Sequence, residues 1–239
     1  MEYLLHHSEK IEFSEPMRKM NRFQGMFPNS WRRWGDGNSH IFFKGGEFVA
    51  QAMKTRTVNW MYDEITLWPM GNLDIVSFEF SGCIMAAFRW DGIWHAAHIQ
   101  MGGEFPRYME WGRFISSIRN KLTALLMFRP DYTKKRDVCR RYEIENEDDI
   151  RVVGLVATEL ECFTLYLKKL DDTERKFALL AYKQHYPSRN INVYERGQQL
   201  QQSVLNASSR SVWDVFFSTV GESDIIWREQ FPTDRLLYR

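Results

Sequence analysis

Short apolar runs separated by turn residues dominate the chain, and this pattern is typical of β-strands. In the first half, the clearest runs cover residues 73–80, 83–88 and 93–101. In the second half, runs rich in β-branched and aromatic residues cover 151–157, 161–168 and 176–183. An Asp-Gly pair at positions 91 and 92 lies between two of the early runs, and it predicts a β-hairpin there.

One segment between these two groups of strands has a helical period instead. Its apolar residues recur at spacings of three and four, at Tyr108, Trp111, Ile115, Ile118, Leu122 and Leu125. Pro130 lies just beyond it, where a helix is expected to have ended. The pattern therefore predicts one long, core-packing helix after the hairpin. Strands, then a helix, then strands predict an α+β fold with a mainly antiparallel or mixed sheet.

The composition indicates one folded domain over residues 1–239. Hydrophobic residues make up 44% of the chain and charged residues 26%, which excludes a disordered protein. The 32 Lys and Arg nearly balance 31 Asp and Glu, and a net charge of +1 argues against nucleic-acid binding. No apolar run approaches the ~18 residues that a membrane-spanning helix needs. We expect a monomer that binds no nucleic acid and has no membrane span.

The N-terminus and the cysteines bear on the compartment. The first ten residues lack the pattern of a Sec-type signal peptide, which favours synthesis in the cytoplasm. Cys83, Cys139 and Cys162 form no CxxC pair and are too few for a disulfide framework, so we expect free thiols. Cys162 has no histidine nearby in sequence, which favours a packing role. Cys139 lies among basic residues, and this favours a solvated basic strand.

Cys83 is the cysteine with a candidate partner. If residues 89–92 form a four-residue loop, the hairpin register sets Cys83 directly opposite His98, and opposed Cβ atoms are about 4.5–5.5 Å apart. His95 lies three positions before His98, so on a strand it points to the other face. The pattern therefore favours His98 as the partner of the thiol and leaves His95 as an alternative base.

This pairing is suited to nucleophilic chemistry. An imidazolium favours the thiolate, which can attack an amide carbonyl while the imidazolium protonates the departing ammonia or amine. Gly82 has no Cβ and permits close approach of a substrate, and the N–H of Cys83 is a natural oxyanion donor. Trp90 and Trp94 flank the turn, where they could line the rim of a cleft or pack half-buried.

We also considered a metal site built from Cys83, His95 and His98. The two histidines diverge on a strand, and no fourth ligand has the spacing of a zinc site. We therefore predict no metal and no other cofactor.

Residues 73–101 resemble the catalytic core of the bacterial toxin glutamine deamidases. Ser-Gly-Cys at 81–83, an apolar strand, an Asp-Gly turn and a histidine on the returning strand occur in this order. The catalytic domain of the cytotoxic necrotizing factor is similar and matches its histidine to His98. The Burkholderia lethal factor is also similar, but its shorter hairpin aligns Trp94 and His95 with its Trp-His pair. A more distant likeness is to the chemotaxis-receptor deamidase CheD, through the Ala-His-Ile at 97–99.

The resemblance implies a role for each of these residues. Cys83 would be the nucleophile and His98 the acid and base, with Ser81 and Gly82 positioning the substrate at the oxyanion hole. Some relatives have a threonine six residues before the cysteine; here that position is Ser77, which would orient His98. The implied fold is a central sandwich of mixed sheets flanked by helices.

The resemblance also implies a substrate and a setting. A specific glutamine of a protein substrate, usually a host regulatory protein, would be converted to glutamate through a thioester. The protein would be an effector that is exported without a Sec-type signal and acts in the cytosol of a host cell. Two alternatives remain open at this point. One is a cysteine peptidase or transglutaminase that uses the same pair, and the other is a non-catalytic interaction module with Cys83 buried.

Overall fold

The computed structural model describes residues 10–14, 16–17, 32–34, 41–43, 49–50, 55–58, 60, 65–100, 108–158, 161–187 and 220–231. Within these ranges the fold is α+β, with many strands and few helices, and the strands form two mixed sheets. None of the helices in these ranges is long and apolar enough to cross a lipid bilayer.

Fifteen strands and two α-helices lie wholly within the described ranges. The strands, in chain order, are β1 (Ile11–Glu12), β2 (Arg32–Trp34), β3 (Ile41–Phe43), β4 (Val49–Ala50), β5 (Thr55–Thr57), β6 (Ile65–Pro69), β7 (Asp74–Ser77), β8 (Ile84–Trp90), β9 (Ile93–Ile99), β10 (Leu122–Phe128), β11 (Ile150–Val156), β12 (Cys162–Lys169), β13 (Lys176–Pro187), β14 (Val220–Glu222) and β15 (Ile226–Trp227). The helices are α1 (Tyr108–Ser117) and α2 (Lys135–Arg141).

The larger sheet has nine strands and runs in the order β1-β13-β12-β11-β7-β5-β4, with β14 and β15 paired to β13. Its neighbours are antiparallel except for β5 and β7, which are parallel. The central strands are apolar on both faces because both faces are covered. One face packs Val76, Leu155 and Phe163 against Phe13, in a cluster that also includes Phe177.

The smaller sheet has six strands in the order β10-β8-β9-β6-β3-β2, and only the β3–β6 pair is parallel. Helix α1 covers one of its faces, where Trp111 and Phe114 belong to the same buried cluster as Ile84 and Phe88. Side chains of the other face, such as Met85, join a buried cluster that also contains residues of β11, β12 and β13. We call this second group the inner cluster. It is the environment of the candidate site.

The predicted long helix is wrong in its second half. Helix α1 ends at Ser117, a 3-10 turn covers Arg119–Lys121, and Leu122–Phe128 is strand β10 at the edge of the smaller sheet. The spacing from Ile118 to Leu122 and Leu125 fits a helix, but consecutive apolar residues in a buried strand fit it equally well. Pairing with β8 satisfies the backbone hydrogen bonds of residues 122–128 and buries most of their side chains. These tertiary interactions favour the strand over the helix.

The environment predicted for Cys139 is also wrong. Cys139 lies on helix α2 rather than on a strand, and its residue is only 6% exposed. Of the basic residues around it, Lys135 is buried, whereas Arg136 and Arg140 are exposed and Arg136 pairs with Glu147. Burial is the main cause that raises the pKa of the Cys139 thiol, so the surrounding cations do not activate it.

Candidate active site

The β8–β9 hairpin has a different register from the predicted one. Asp91 and Gly92 have φ values of 51° and 78°, which fit a two-residue turn. The residues on either side of this turn, Trp90 and Ile93, are paired with each other. Residues 89 and 90 therefore belong to the strand and not to a four-residue loop. As a result Met85, and not Cys83, is paired with His98.

The register change keeps the thiol and the imidazole on one face of the sheet. Extending the ladder by one pair beyond Ile84 and Ile99 sets Cys83 opposite Gln100, two positions from His98. Because side chains alternate with a period of two, Cys83 and His98 still point to the same side. They are diagonal neighbours, a relation in which the separation is typically about 7–8 Å.

His95 lies on the opposite face, which is covered by helix α1. Its ring stacks on Phe88 with a centroid distance of 5.2 Å, and its Nδ1 lies 2.9 Å from the carbonyl oxygen of Ile93. Burial lowers the pKa of His95. This alternative base is therefore separated from Cys83 by the sheet itself.

Ser77 connects His98 to the larger sheet and determines its tautomer. The Ser77 hydroxyl donates a hydrogen bond of 2.6 Å to the carbonyl oxygen of Val58, and its Oγ lies 2.7 Å from His98 Nδ1. A hydroxyl has one proton, and a carbonyl can only accept. Ser77 Oγ must therefore accept from Nδ1–H of the neutral ring. The unprotonated nitrogen of His98 is then Nε2, which has the lone pair of a base.

The surroundings keep the His98 ring neutral and fixed in orientation. His98 is only 1% exposed, and burial lowers its pKa to about 3. Phe80 stacks on the ring with a centroid distance of 4.3 Å and an interplanar angle of 13°. Nε2 is buried and has no hydrogen-bond partner. Burial therefore favours the neutral ring over the imidazolium that the sequence pattern suggests.

Cys83 opens onto a pocket of about 450 Å³, although only 5% of the residue is exposed. The described residues that line this pocket are Trp60, Glu79, Ser81, Gly82, Cys83, Gln100 and Arg129. We call it the Cys83 pocket. Trp90 and Trp94 are not among these residues: Trp90 packs near helix α1 and Trp94 against the inner cluster. Among the described residues, the tryptophan that lines this pocket is Trp60.

The segment between β7 and β8 has two unusual backbone angles. Glu79 has a φ of 62° and Gly82 a φ of 134°, and the second value strongly favours glycine. Between them, Phe80 turns inward onto His98 while Ser81 is exposed at the pocket. The Ser-Gly of the sequence motif therefore forms the bend that brings Cys83 to the pocket wall.

Several pocket residues were missed by the sequence analysis. Gln100 could have been found, because it lies two positions after His98 and so shares its face of the strand. Trp60 and Arg129 come from segments far from the hairpin in sequence, and no local pattern indicates that they meet Cys83. In the described ranges, no group of three His, Cys, Asp or Glu side chains is placed to hold a metal ion.

A second cysteine and histidine meet in the larger sheet. Cys162 of β12 is paired with His185 of β13, so the cysteine does have a histidine beside it, although not one near in sequence. Thr164 Oγ1 lies 2.8 Å from His185 Nε2 and accepts a hydrogen bond of 3.2 Å from the N–H of Asp131. Burial is the main cause that raises the pKa of Cys162 to about 12. This thiol is a packing residue.

Comparison of the chain with protein family profiles, with curated proteins and with solved structures finds no match. The function of the chain is therefore inferred from its own residues and their geometry.

Proposed function

We propose that this protein is a cysteine-dependent glutamine deamidase in which Cys83 is the nucleophile and His98 is the base. The observation that supports this most directly is the tautomer of His98. A buried imidazole whose Nδ1–H is held by Ser77, and whose Nε2 is unpartnered on the same face as a pocket-lining thiol, has the lone pair of Nε2 fixed in orientation for a proton donor. Stacking on Phe80 limits its rotation.

The reaction begins with proton transfer during attack. His98 Nε2 accepts the proton of the Cys83 thiol as Sγ bonds to the carbonyl carbon of a glutamine side chain. The N–H of Cys83 stabilises the oxyanion, and Gly82 leaves room for the carbonyl group. The C–N bond then breaks, and the imidazolium returns the proton to the amide nitrogen, which leaves as ammonia. Ser77 Oγ stays the acceptor of Nδ1–H throughout, and so stabilises the transient charge on the ring.

The second half of the reaction uses water. Neutral His98 removes a proton from a water molecule as the oxygen attacks the thioester carbon. The C–S bond breaks, the proton returns to Cys83, and the product is glutamate. Diagonal strand neighbours start too far apart for a direct hydrogen bond, so we expect the Cys83 side chain to approach His98 when substrate fills the pocket.

Two further parts of the proposal come from the resemblance to the toxin deamidases. We propose that the substrate is a glutamine of a protein, as in an effector that acts inside a host cell. We also propose that the two sheets pack as the sandwich of that family. In support, the inner cluster includes Met85 of the smaller sheet and Tyr166 of the larger one.

The decisive experiment measures ammonia release from casein, used as a glutamine-rich probe. The wild type should release ammonia and convert glutamine to glutamate in casein peptides, as detected by mass spectrometry. Cys83→Ser and His98→Gln should both be inactive. Cys162→Ser is the matched control, because its thiol also lies beside a histidine but does not line the Cys83 pocket, and it should retain activity.

Other outcomes would identify the alternatives. Cleaved casein without ammonia release would indicate a peptidase, and crosslinked casein with ammonia release would indicate a transglutaminase. Equal behaviour of the wild type and Cys83→Ser would rule out a catalytic role for Cys83 on this probe. Native alkylation with iodoacetamide would then decide whether the thiol is accessible at all.

A further inference from the structure

A second pocket adjoins the Cys83 pocket. The second one has a volume of about 660 Å³, and the described residues that line it are Ser81, Gly82, Arg129, Pro130, Asp131, Tyr132 and Thr133. We call it the Tyr132 pocket. Three residues, Ser81, Gly82 and Arg129, line both pockets. The two pockets therefore adjoin at the Gly82 bend. We call them together the groove, and each half is of a size that holds a small organic group.

The far half of this groove is built on a fixed loop. The Asp131 carboxylate accepts hydrogen bonds from Thr133 N, at 3.1 Å, and from Lys183 Nζ, at 2.9 Å. The backbone of Asp131 is also held, since its N–H donates to Thr164 and its carbonyl oxygen accepts from the Tyr166 hydroxyl at 2.8 Å. Asp131 thus attaches residues 129–133 to the larger sheet, and little ordering is needed when a ligand binds.

The side chain displayed by this loop is aromatic and exposed. Tyr132 is 43% exposed, and among the described residues the other large exposed hydrophobic side chains are Ile93 and Leu170. Lys135 Nζ lies 5.6 Å from the Tyr132 ring centroid, which helps to fix the ring. A rigid tyrosine beside a pocket is typical of a surface that contributes binding energy.

From these observations we infer that the Tyr132 pocket is a specificity subsite that binds an apolar side chain next to the target glutamine. This inference rests on the proposed function. An extended peptide lies across Gly82, with its glutamine side chain in the Cys83 pocket. A neighbouring large apolar side chain, one or two residues away, contacts Tyr132 and Pro130. Free glutamine lacks this contact, so the groove selects glutamines within a particular sequence context.

Alkylation of Cys83 tests this inference without knowledge of the natural target. Iodoacetyl-Trp-amide and iodoacetyl-Gly-Trp-amide carry an indole one and two residues from the reactive carbon. Iodoacetyl-Gly-Gly-amide has the same chemistry without a large side chain, and iodoacetamide lacks the peptide altogether. At least one indole reagent should modify Cys83 about tenfold faster than the Gly-Gly reagent, since burial of an aromatic side chain favours its binding by that factor or more.

Variants of Tyr132 should remove this preference selectively. Tyr132→Ala should bring the indole and Gly-Gly reagents to similar rates, while the rate with iodoacetamide stays that of the wild type. Tyr132→Phe should keep the preference because it keeps the ring. Leu170→Ala is the matched control, since it removes an exposed apolar side chain that lines neither pocket.

The two ways of failing can be distinguished. If Cys83 of the folded protein reacts with none of the reagents, Cys83 is not the nucleophile. The proposed function and the subsite that rests on it are then both overturned. If Cys83 reacts with iodoacetamide, but the indole gives no preference or Tyr132→Ala does not change it, the subsite alone is overturned. In that case the proposed deamidase activity stands.

Discussion

The protein contains two sets of cysteine, histidine and hydroxyl side chains, and they differ in what surrounds them. The first set is Cys83, His98 and Ser77, and the second is Cys162, His185 and Thr164. Both hydroxyls lie in one row of the larger sheet, because Gly154 is paired with Ser77 on one side and with Thr164 on the other. The two sets thus consist of similar residues at related positions of the sheet, but the groups that surround them differ.

The first difference is which nitrogen of the histidine ring the hydroxyl contacts. Ser77 contacts Nδ1 of His98 and leaves Nε2, the nitrogen farther from the backbone, without a partner. Thr164 contacts Nε2 of His185. The Ser77 hydroxyl also donates its proton to the carbonyl oxygen of Val58, and this determines the tautomer of His98. Thr164 accepts from Asp131 N–H, which leaves its own proton free to point at the ring, so the tautomer of His185 is not determined in the same way.

The second difference is access. Cys83 lines a pocket, whereas burial raises the pKa of Cys162 to about 12. The comparison shows that a cysteine beside a histidine is not by itself a catalytic site. A cavity at the thiol is also needed, and of the two cysteines Cys83 is the one among the residues that line the Cys83 pocket.

The largest expected difference between the two sets is in thiol reactivity. At pH 7 a pKa of about 12 leaves only about 10⁻⁵ of the Cys162 thiol ionised, and the thiolate is the reactive form. We expect iodoacetamide to modify Cys83 completely before any adduct on Cys162 is detected, as followed by peptide mapping of the native protein. Both thiols should react after denaturation in guanidinium chloride. Equal native labelling would remove the distinction between the two sets.

The second prediction concerns the pH dependence of stability. The pKa of His98 falls from its ordinary value of 6.5 to about 3 on folding, so between these values the unfolded state binds the extra proton. His98 therefore lowers the free energy of unfolding as the pH falls from 6.5 towards 3, by up to about 1.4 kcal/mol per pH unit. Its contribution is fully present above pH 6.5.

Urea unfolding of the wild type and His98→Gln between pH 7 and 4 measures this contribution. The glutamine variant is less stable at pH 7 because it loses the stack on Phe80, but its stability should fall less steeply with acid. Carboxylates titrate in both proteins and cancel in the difference. Parallel curves would mean that His98 can be protonated without unfolding.

The third prediction separates the two hydroxyls by their effect on activity. Ser77→Ala leaves the carbonyl of Val58 and Nδ1–H of His98 unsatisfied, which should cost about 1–3 kcal/mol of stability. It should also lower the rate of ammonia release by about tenfold or more, since the base loses its fixed tautomer. Thr164→Val should cost a similar amount of stability with a much smaller change in rate. Equal rates for the two variants would show that Ser77 has a structural role only.

The smallest expected effect on the reaction comes from Gly154, the glycine that lies between the two hydroxyls. A Cβ at Gly154 would lie 2.5 Å from Met85 Sδ and 3.1 Å from Phe80 and from Pro130. Gly154→Ala should therefore cost about 1–3 kcal/mol of stability through overpacking. It should also shift Phe80, and with it the ring of His98. Gly112→Ala, in open space on helix α1, is the control and should gain up to about 1 kcal/mol.

The sequence predicted the strands on either side of the site because their apolar runs are long and bounded by turn residues. Its errors concern choices that local pattern does not distinguish. The sequence is compatible with a two-residue or a four-residue turn in the hairpin. The structure has the two-residue turn, in which both Asp91 and Gly92 have positive φ values. Leu122–Phe128 satisfied a helical period but became a strand, because an adjacent sheet edge was available for pairing.

The side on which each residue lies was determined by the sequence itself. Strand side chains alternate with a period of two, so Cys83 and His98 share a face in either register, and His95 is on the other. The need for glycine at position 82 is likewise local, since it is set by one backbone angle at the bend.

The chemical state of the site was decided by tertiary structure alone. Nothing near His98 in sequence indicates that Ser77 and Val58 hold its tautomer, that Phe80 covers its ring, or that burial keeps it neutral. The pocket likewise depends on Trp60 and Arg129, which line it together with Cys83 but come from distant segments. Protonation, tautomer and access depend on the groups that surround a side chain in space, and neighbours along the chain are only some of these groups.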